Sequence, residues 1–216
     1  MRKIIFSFVL LACVSSFAKA SVIGLDIESD GSKVTPKSGS FTLGWKFSLS
    51  ESVVLTALGT WDQGADGLNE SQQVGLWGKN EDNEAWNLLK DVVVDNSAIS
   101  EASASNEGQW LFANVEETLL KAGEYVIGAH NNGNSGDAWQ QGDTGISTDS
   151  RLTWIESRNF GPGSFEFPNK VSSGTQFFGP NLMFKSVSVP EPGTLGLFIA
   201  SLTGLWLARK SKTRNG

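Results

Sequence analysis

The sequence of 216 residues contains one cysteine, one histidine and two methionines. A single cysteine excludes a disulfide framework and a CxxC zinc site within the chain, and a single histidine excludes a multi-histidine metal centre. Bases are also few, with 17 Lys and Arg against 23 Asp and Glu and a formal charge of −6. This balance argues against nucleic acid as a partner, because binding to phosphates requires a basic patch.

What the chain does contain is turn-forming glycine and large aromatic residues, with 24 Gly, 13 Phe and eight Trp. Apolar residues alternate with small or polar ones over 41–49, which is the pattern of a half-buried strand. Similar runs between Gly- and Asn-rich turns predict strands at 22–27, 53–61, 73–78, 87–94, 109–113, 125–129, 152–155, 164–167 and 182–189. We therefore expect residues 21–188 to form one all-β domain, an antiparallel β-sandwich of jelly-roll type.

Charge is sorted along the chain. Residues 1–20 contain three bases and residues 209–216 contain four, with no acid in either segment, whereas residues 21–189 contain 22 acids and 10 bases. Cationic flanks are retained on the cytoplasmic side of a membrane. This distribution is therefore typical of a precursor whose two ends meet the inner membrane.

The N-terminus has the three parts of a secretory signal peptide. Two bases are followed by an apolar run at 4–14, and Ala18 and Ala20 form an A-x-A cleavage site. We expect residues 1–20 to be a signal helix that the Sec translocon recognises and that is removed after Ala20, which leaves no cysteine in the mature chain. The alternatives are a lipoprotein signal acylated at Cys13 and a buried N-terminal helix.

The C-terminus combines a proline motif, an apolar run and a basic tail. The motif is Val189, Pro190, Glu191 and Pro192, the uncharged run is 193–208, and the tail at 209–216 contains Arg209, Lys210 and Lys212. As a helix the run would span about 24 Å against about 30 Å of hydrocarbon, so we expect a transmembrane helix that holds the chain transiently. The two prolines leave an extended backbone that a processing enzyme can bind. The alternative is a packed C-terminal helix.

This order of motif, helix and tail resembles the PEP-CTERM sorting signal of Gram-negative bacteria that make exopolysaccharide. The resemblance covers residues 189–216. It implies that an exosortase, a membrane-embedded processing enzyme, recognises the Pro-Glu-Pro motif. Cleavage there would release the product to the outer surface or the matrix.

A second resemblance covers residues 41–129. Gly44-Trp45-Lys46-Phe47, Leu58-Gly59-Thr60-Trp61-Asp62, Val74-Gly75-Leu76-Trp77 and Leu120-Lys121-Ala122-Gly123-Glu124-Tyr125-Val126 carry it. These segments are similar to a β-sandwich module of unknown function that recurs in secreted bacterial proteins. The resemblance implies a fold and no catalytic residue.

Asp62, Asp66 and Glu70 accompany a glycine turn that partly copies the start of an EF-hand loop. The segment lacks other EF-hand ligands, so any site here would be an irregular one, which Ca²⁺ accepts because its all-oxygen coordination is flexible. Oxygen-rich loops also occur at 80–84 and 131–137. Because Asp-Gly and Asn-Gly are ordinary turn sequences, we expect no cofactor, with calcium as the alternative.

Tryptophan is the residue to inspect for sugar binding, because sugar rings stack on exposed aromatic faces. Five of the tryptophans lie in strand patterns and are expected in the core: Trp45, Trp61, Trp77, Trp110 and Trp154. Trp86 and Trp139 lie among polar residues and are the candidates for a sugar-binding platform. The alternative is that each covers an end of the sandwich.

The sequence contains few residues in patterns that would indicate a catalytic site. His130 has no G-x-S-x-G nucleophile elbow to serve, and none of the many acids is singled out as a glycosidase pair. We therefore expect an exported, non-enzymatic protein of the cell surface or extracellular matrix, associated with exopolysaccharide. The alternatives are a carbohydrate-binding module and a glycoside hydrolase.

Overall fold

The computed structural model describes residues 20–28, 32–34, 40–79, 84–131, 137–141, 145–173 and 176–187. The chain divides into two compact units, Met1–Ser186 and Val187–Gly216, and all of the described residues except Val187 belong to the first. The predicted signal peptide up to Lys19, the motif at 189–192, the apolar run and the basic tail lie outside the described residues.

The described residues form β-strands and contain no helix. The strands are β1 Val22–Ile23, β2 Leu25–Ile27, β3 Ser32–Val34, β4 Phe41–Leu49, β5 Val53–Gln63, β6 Gln72–Lys79, β7 Trp86–Val94, β8 Ile99–Ala102, β9 Gly108–Leu120, β10 Gly123–Asn131, β11 Trp139–Gln141, β12 Ile146–Thr148, β13 Leu152–Phe160, β14 Lys170–Val171 and β15 Pro180–Ser186.

These strands form two large sheets and two small ribbons. The five-stranded sheet has the order β1-β15-β5-β9-β8, and the six-stranded sheet has the order β14-β13-β4-β10-β6-β7. The ribbons pair β11 with β3 and β12 with β2. Every pairing is antiparallel, which confirms the expected class of sheet.

The core is built from the inward-facing residues of both large sheets. Alternation along β4 turns Trp45 and Phe47 inside, where both are fully buried. Trp61 of β5 and Trp110 of β9 are register partners, and their rings meet edge to face with centroids 5.0 Å apart. Side chains from both sheets belong to one buried cluster, so the sheets form a sandwich-like arrangement.

Most predicted strands coincide with observed ones, and β4 has the predicted bounds. The largest extension is β9 at Gly108–Leu120, because its second half begins with a largely polar stretch, 114–118, that interrupts the apolar pattern. Glu116 in that half forms an ion pair with Lys90, and Glu117 forms one with Lys185. Backbone pairing with β5, where Val53–Leu55 lie opposite Thr118–Leu120, continues the strand, and hydrophobic patterning alone does not reveal it.

Three glycines occupy one row across the outer face of the six-stranded sheet, the face turned away from the core. Gly128 of β10 pairs with Gly44 of β4 on one side and with Gly75 of β6 on the other. A Cβ at Gly75 would lie 2.5 Å from Cζ of Phe165. The absence of a side chain there admits the segment 161–168, which we call the covering loop.

The predicted strand at 164–167 is wrong, because these residues lie in the covering loop and have no strand partner among the described residues. The alternation of Phe165 and Phe167 reflects packing on Trp77 of β6, with ring centroids 5.2 and 5.9 Å from that indole. A period of two in sequence thus marks a pair of contacts here rather than a strand.

Candidate functional site

Four aromatic side chains form a layer on the outer face of the six-stranded sheet. We call Trp77, Trp86, Phe165 and Phe167 the outer aromatic layer. Trp86, at the start of the edge strand β7, stacks on Phe167 with centroids 5.5 Å apart and planes 20° apart. Trp77 is 4% exposed, whereas the other three are half-buried. The layer therefore reaches solvent through Trp86 and the two phenylalanines.

Polar groups stand at the margin of the outer aromatic layer. Lys46 Nζ lies 5.8 Å from the centroid of Trp86 and 2.9 Å from Oε2 of Glu124. On the exposed surface nearby, Nε2 of Gln73 donates to Oδ2 of Asp91 at 2.8 Å. Aromatic faces can stack on the apolar side of a sugar ring, and amide and charged groups can hydrogen-bond its hydroxyls.

The two tryptophans predicted as a sugar platform lie in different environments. Trp86 belongs to the outer aromatic layer. Trp139 is 1% exposed, and a Cβ at Gly179 would lie 2.0 Å from its Cδ2, so its ring is packed against the backbone of Gly179. The prediction that Trp139 offers a face to a ligand is therefore wrong. Its burial comes from contacts distant in sequence, which its polar neighbours do not reveal.

A polar cluster surrounds the end of β5. Asp62 is fully buried, and its Oδ2 accepts hydrogen bonds from N–H of Gly67 at 3.2 Å and from Nε2 of Gln109 at 2.8 Å. Asp137 is 2% exposed, and its carboxylate accepts from the backbone N–H of Asn69 at 3.1 Å and from Nδ2 of that residue at 3.4 Å. We call Asp62 and Asp137 the buried acid pair.

The buried acid pair has an unusual electrostatic environment. The pKa of Asp137 is raised from 3.8 to about 6, chiefly by burial; the negative charges of Asp62 and Asp66 also raise it, and the hydrogen bonds from Asn69 oppose the rise. No ion pair between described residues includes either member of the pair. Acidic groups are thus crowded together without a compensating base.

The residues predicted as calcium ligands are only partly brought together. Asp62 is buried, Asp66 is exposed in the turn that follows β5, and Glu70 is half-buried. In the part of the chain that the structure describes, no three Asp, Glu, His or Cys side chains are grouped so that they could hold a metal ion. The acid placed beside Asp62 is Asp137, from the oxygen-rich loop at 131–137. The sequence marks both loops as rich in oxygen ligands, but only the fold brings Asp62 and Asp137 to the same segment, at Gly67 and Asn69.

A carboxyl group with a raised pKa near a second carboxylate is the electronic pattern of a glycosidase acid and its partner. Both members of the buried acid pair are enclosed, with Asp62 at 0% and Asp137 at 2% exposure. A sugar ring must contact both carboxyl groups for hydrolysis. In this conformation the pair offers no surface for that contact.

The single histidine is hydrogen-bonded in a direction that does not suit catalysis. Nε2 of His130 lies 2.9 Å from Oγ of Ser40, and that hydroxyl donates its only proton to the carbonyl oxygen of Gly163. The ring therefore donates to the serine, whereas a serine nucleophile must give its proton to the ring. Because Gly163 is in the covering loop, these contacts join the loop to the edge of β4.

Of the site residues predicted at the two termini, only Ala20 lies within the described residues. Ala20, the residue before the predicted signal cleavage, is exposed just ahead of β1. Ala18, the sorting motif and the three bases of the tail lie outside the described residues. Within the described ranges, the chain has no helix with the length and hydropathy needed to cross a bilayer.

No protein-family model and no curated protein matches the sequence. The resemblances to the sorting signal and to the secreted module therefore stay predictions, carried by the residues quoted for them.

Proposed function

We propose that the protein is exported and acts without catalysis as a component of the cell surface or extracellular matrix. The observation that carries this proposal is the order of proline motif, apolar run and basic tail at 189–216. The Sec translocon exports the chain, and residues 1–20 are removed after Ala20. Residues 193–208 then hold it in the inner membrane as a helix until an exosortase-type enzyme cleaves near Glu191.

The composition of the body supports this destination. Cleavage after Ala20 leaves no cysteine, so an oxidising compartment changes no covalent bond in the mature protein. Residues 21–189 are strongly acidic, which favours solubility outside the cell. The aromatic core between the two sheets supplies stability without a disulfide.

The test is the intact mass of the product that a Gram-negative host secretes when it co-expresses an exosortase. We expect a chain that begins at Ser21 and ends near the motif. Replacing Pro190–Pro192 by three alanines should leave a membrane-retained precursor that keeps residues 193–216. The matched control is Glu84→Ala, because the Glu84 side chain is 82% exposed in the body, and this variant should be processed normally.

Two results would contradict the proposal. One is normal release of the variant with three alanines, because the motif would then not direct processing. The other is a secreted product whose mass includes the basic tail at 209–216. Either result would show that the protein is not released by processing at the proline motif.

We propose a second, more specific activity, which is binding of the exopolysaccharide itself. The outer aromatic layer supports it, because Trp86 is half-buried with Lys46 Nζ 5.8 Å from its ring centroid. The exposed Gln73–Asp91 hydrogen bond lies farther along strands β6 and β7. Leu88 of β7 is 46% exposed and extends the apolar surface. Such a surface can cover the apolar face of a sugar without enclosing it.

Retention of the purified protein on matrix polysaccharide tests this activity. We expect Trp86→Ala to abolish retention and Trp86→Phe to keep part of it, because phenylalanine preserves an aromatic face. Ile99→Ala is the control, since Ile99 is 49% exposed on the edge of the other sheet. Equal retention of all four proteins would contradict binding at Trp86. New reducing ends in the polysaccharide would instead indicate a hydrolase.

A further inference from the structure

The buried acid pair contains a carboxylate oxygen whose environment is unexplained. Asp62 is 0% exposed, and its Oδ1 has no hydrogen-bond partner among the described residues. Buried polar atoms are nearly always bonded, and the requirement is strongest for a charged group. The Oδ1 atom of Asp62 can therefore accept a positive or donating group that the described residues do not supply.

Both members of the pair are held by the same short segment. The N–H of Gly67 donates to Asp62, and the N–H of Asn69, two residues later, donates to Asp137. The two carboxylates come from distant parts of the chain and converge on this segment. Asp66, which immediately precedes it, adds a third negative charge that acts on Asp137.

The convergence concentrates negative charge where water is excluded. Two ionised carboxylates that share a buried site repel each other, and neither is paired with a base in the described part of the chain. A cation between them would bond the bare oxygen of Asp62 and remove the repulsion. Hydrogen bonds alone could satisfy the bare oxygen of Asp62, but they would not remove the repulsion between the two negative charges.

We propose that Asp62 and Asp137 bind a calcium ion. The donors are oxygens, without a histidine or cysteine, which favours a hard cation over zinc or copper. Mg²⁺ requires near-ideal octahedral geometry and keeps most of its water, whereas Ca²⁺ accepts six to eight mixed oxygens in irregular arrangements. Two carboxylates are thus sufficient when amide, carbonyl and water oxygens complete the shell.

The test uses the full chain in detergent micelles, stripped of metal with a chelator and titrated with CaCl₂ by calorimetry. We expect saturable binding of one ion per chain. The melting temperature should rise by about 5–10 °C at a hundredfold excess over Kd, because the ion binds only the folded state. MgCl₂ at equal ionic strength should give a much smaller rise, which separates specific binding from screening.

Two isosteric variants locate the site. Asp62→Asn and Asp137→Asn should each abolish the saturable binding. In chelator their melting temperatures should equal or exceed that of the wild type, because each removes one of two crowded charges. The matched control is Asp91→Asn, an exposed acid on the outer face that should bind calcium as the wild type does.

A measurement on the wild type alone covers the case in which the variants fail to fold. Tb³⁺, a luminescent substitute for Ca²⁺, should be sensitised by excitation of Trp61 and Trp139, which lie next to Asp62 and two residues from Asp137. Added CaCl₂ should displace it. The proposal is overturned if wild-type protein shows neither sensitised emission nor a calcium-dependent rise in melting temperature. It is also overturned if Asp91→Asn loses binding as completely as Asp62→Asn.

Discussion

The inside of the sandwich and the outer aromatic layer are both built from tryptophan and phenylalanine, but they are closed in different ways. Inside, Trp45, Trp61 and Trp110 are at most 1% exposed and belong to the buried cluster to which both sheets contribute. Outside, Trp77 is covered by the covering loop, whereas Trp86 remains half-buried at the edge strand.

This difference shows where a ligand can act on the molecule. Alternation along a strand places side chains on both faces of a sheet, and a facing sheet can cover one of those faces completely. A loop covers only the part that it crosses, and here it crosses Gly128 and Gly75 of the glycine row. Aromatic surface beyond the loop stays available for contact with a partner.

The largest expected effect is the loss of stability when a tryptophan inside the sandwich is replaced. Trp45→Ala should lower the free energy of unfolding by about 3–5 kcal/mol, because it leaves a cavity and removes a hydrogen bond from Nε1 to the carbonyl oxygen of Pro180. Trp86→Ala should lower it by only about 1–2 kcal/mol, since the half-buried ring loses less apolar contact. Urea denaturation measures both, and equal losses would contradict the difference between the two layers.

The next effect concerns the fit of the covering loop. Gly75→Ala should cost about 1–3 kcal/mol in urea denaturation, because the added methyl group would lie 2.5 Å from Phe165 and 2.9 Å from Trp77. In a Phe165→Ala background the same substitution should cost clearly less, since the ring that it displaces is gone. The same cost in both backgrounds would show that the loop does not rest on the glycine row.

The smallest effect concerns the rim of the inner core, where Arg151 lies 4.8 Å from the centroid of the buried Phe184 ring. Arg151 donates two hydrogen bonds to Asp149, at 2.7 and 3.0 Å, and these lower the pKa of that carboxyl below 3.8. The folded-state pKa is thus below the unfolded one. The stabilisation is therefore present above about pH 4 and is lost as the pH falls below it.

We expect this contribution to be below about 1 kcal/mol, because the pair is partly exposed to solvent. Melting temperatures measured between about pH 3 and pH 7 should fall less steeply at the acid end for Asp149→Asn than for the wild type. Glu101→Gln, at a carboxyl on the edge strand β8, is the control. Identical acid profiles for Asp149→Asn and the wild type would show that the ion pair between Arg151 and Asp149 does not stabilise the fold.

Sequence patterns predicted the strands well where the pattern and the packing have the same cause. At 41–49 the alternating apolar residues from Leu43 to Leu49 are buried, because one face of β4 meets the core. Thr42 and Gly44 on the other face are buried as well, which the alternation does not predict. At 164–167 the same period of two was misleading, because both phenylalanines reach Trp77 from a loop. Trp139 was misread for a related reason, since its sequence neighbours are polar while its spatial neighbours are not.

The sequence by itself determined the all-β class, the strands with alternating apolar residues and the sorting of charge to the two ends, because each of these is a local property of the chain. Only the tertiary structure decided which aromatic rings are enclosed and which acids meet. Asp137 lies with Asp62 at the segment around Gly67 and Asn69 because of strand pairing across the whole fold. Burial depends on residues far away along the chain, and no window of neighbouring residues contains that information.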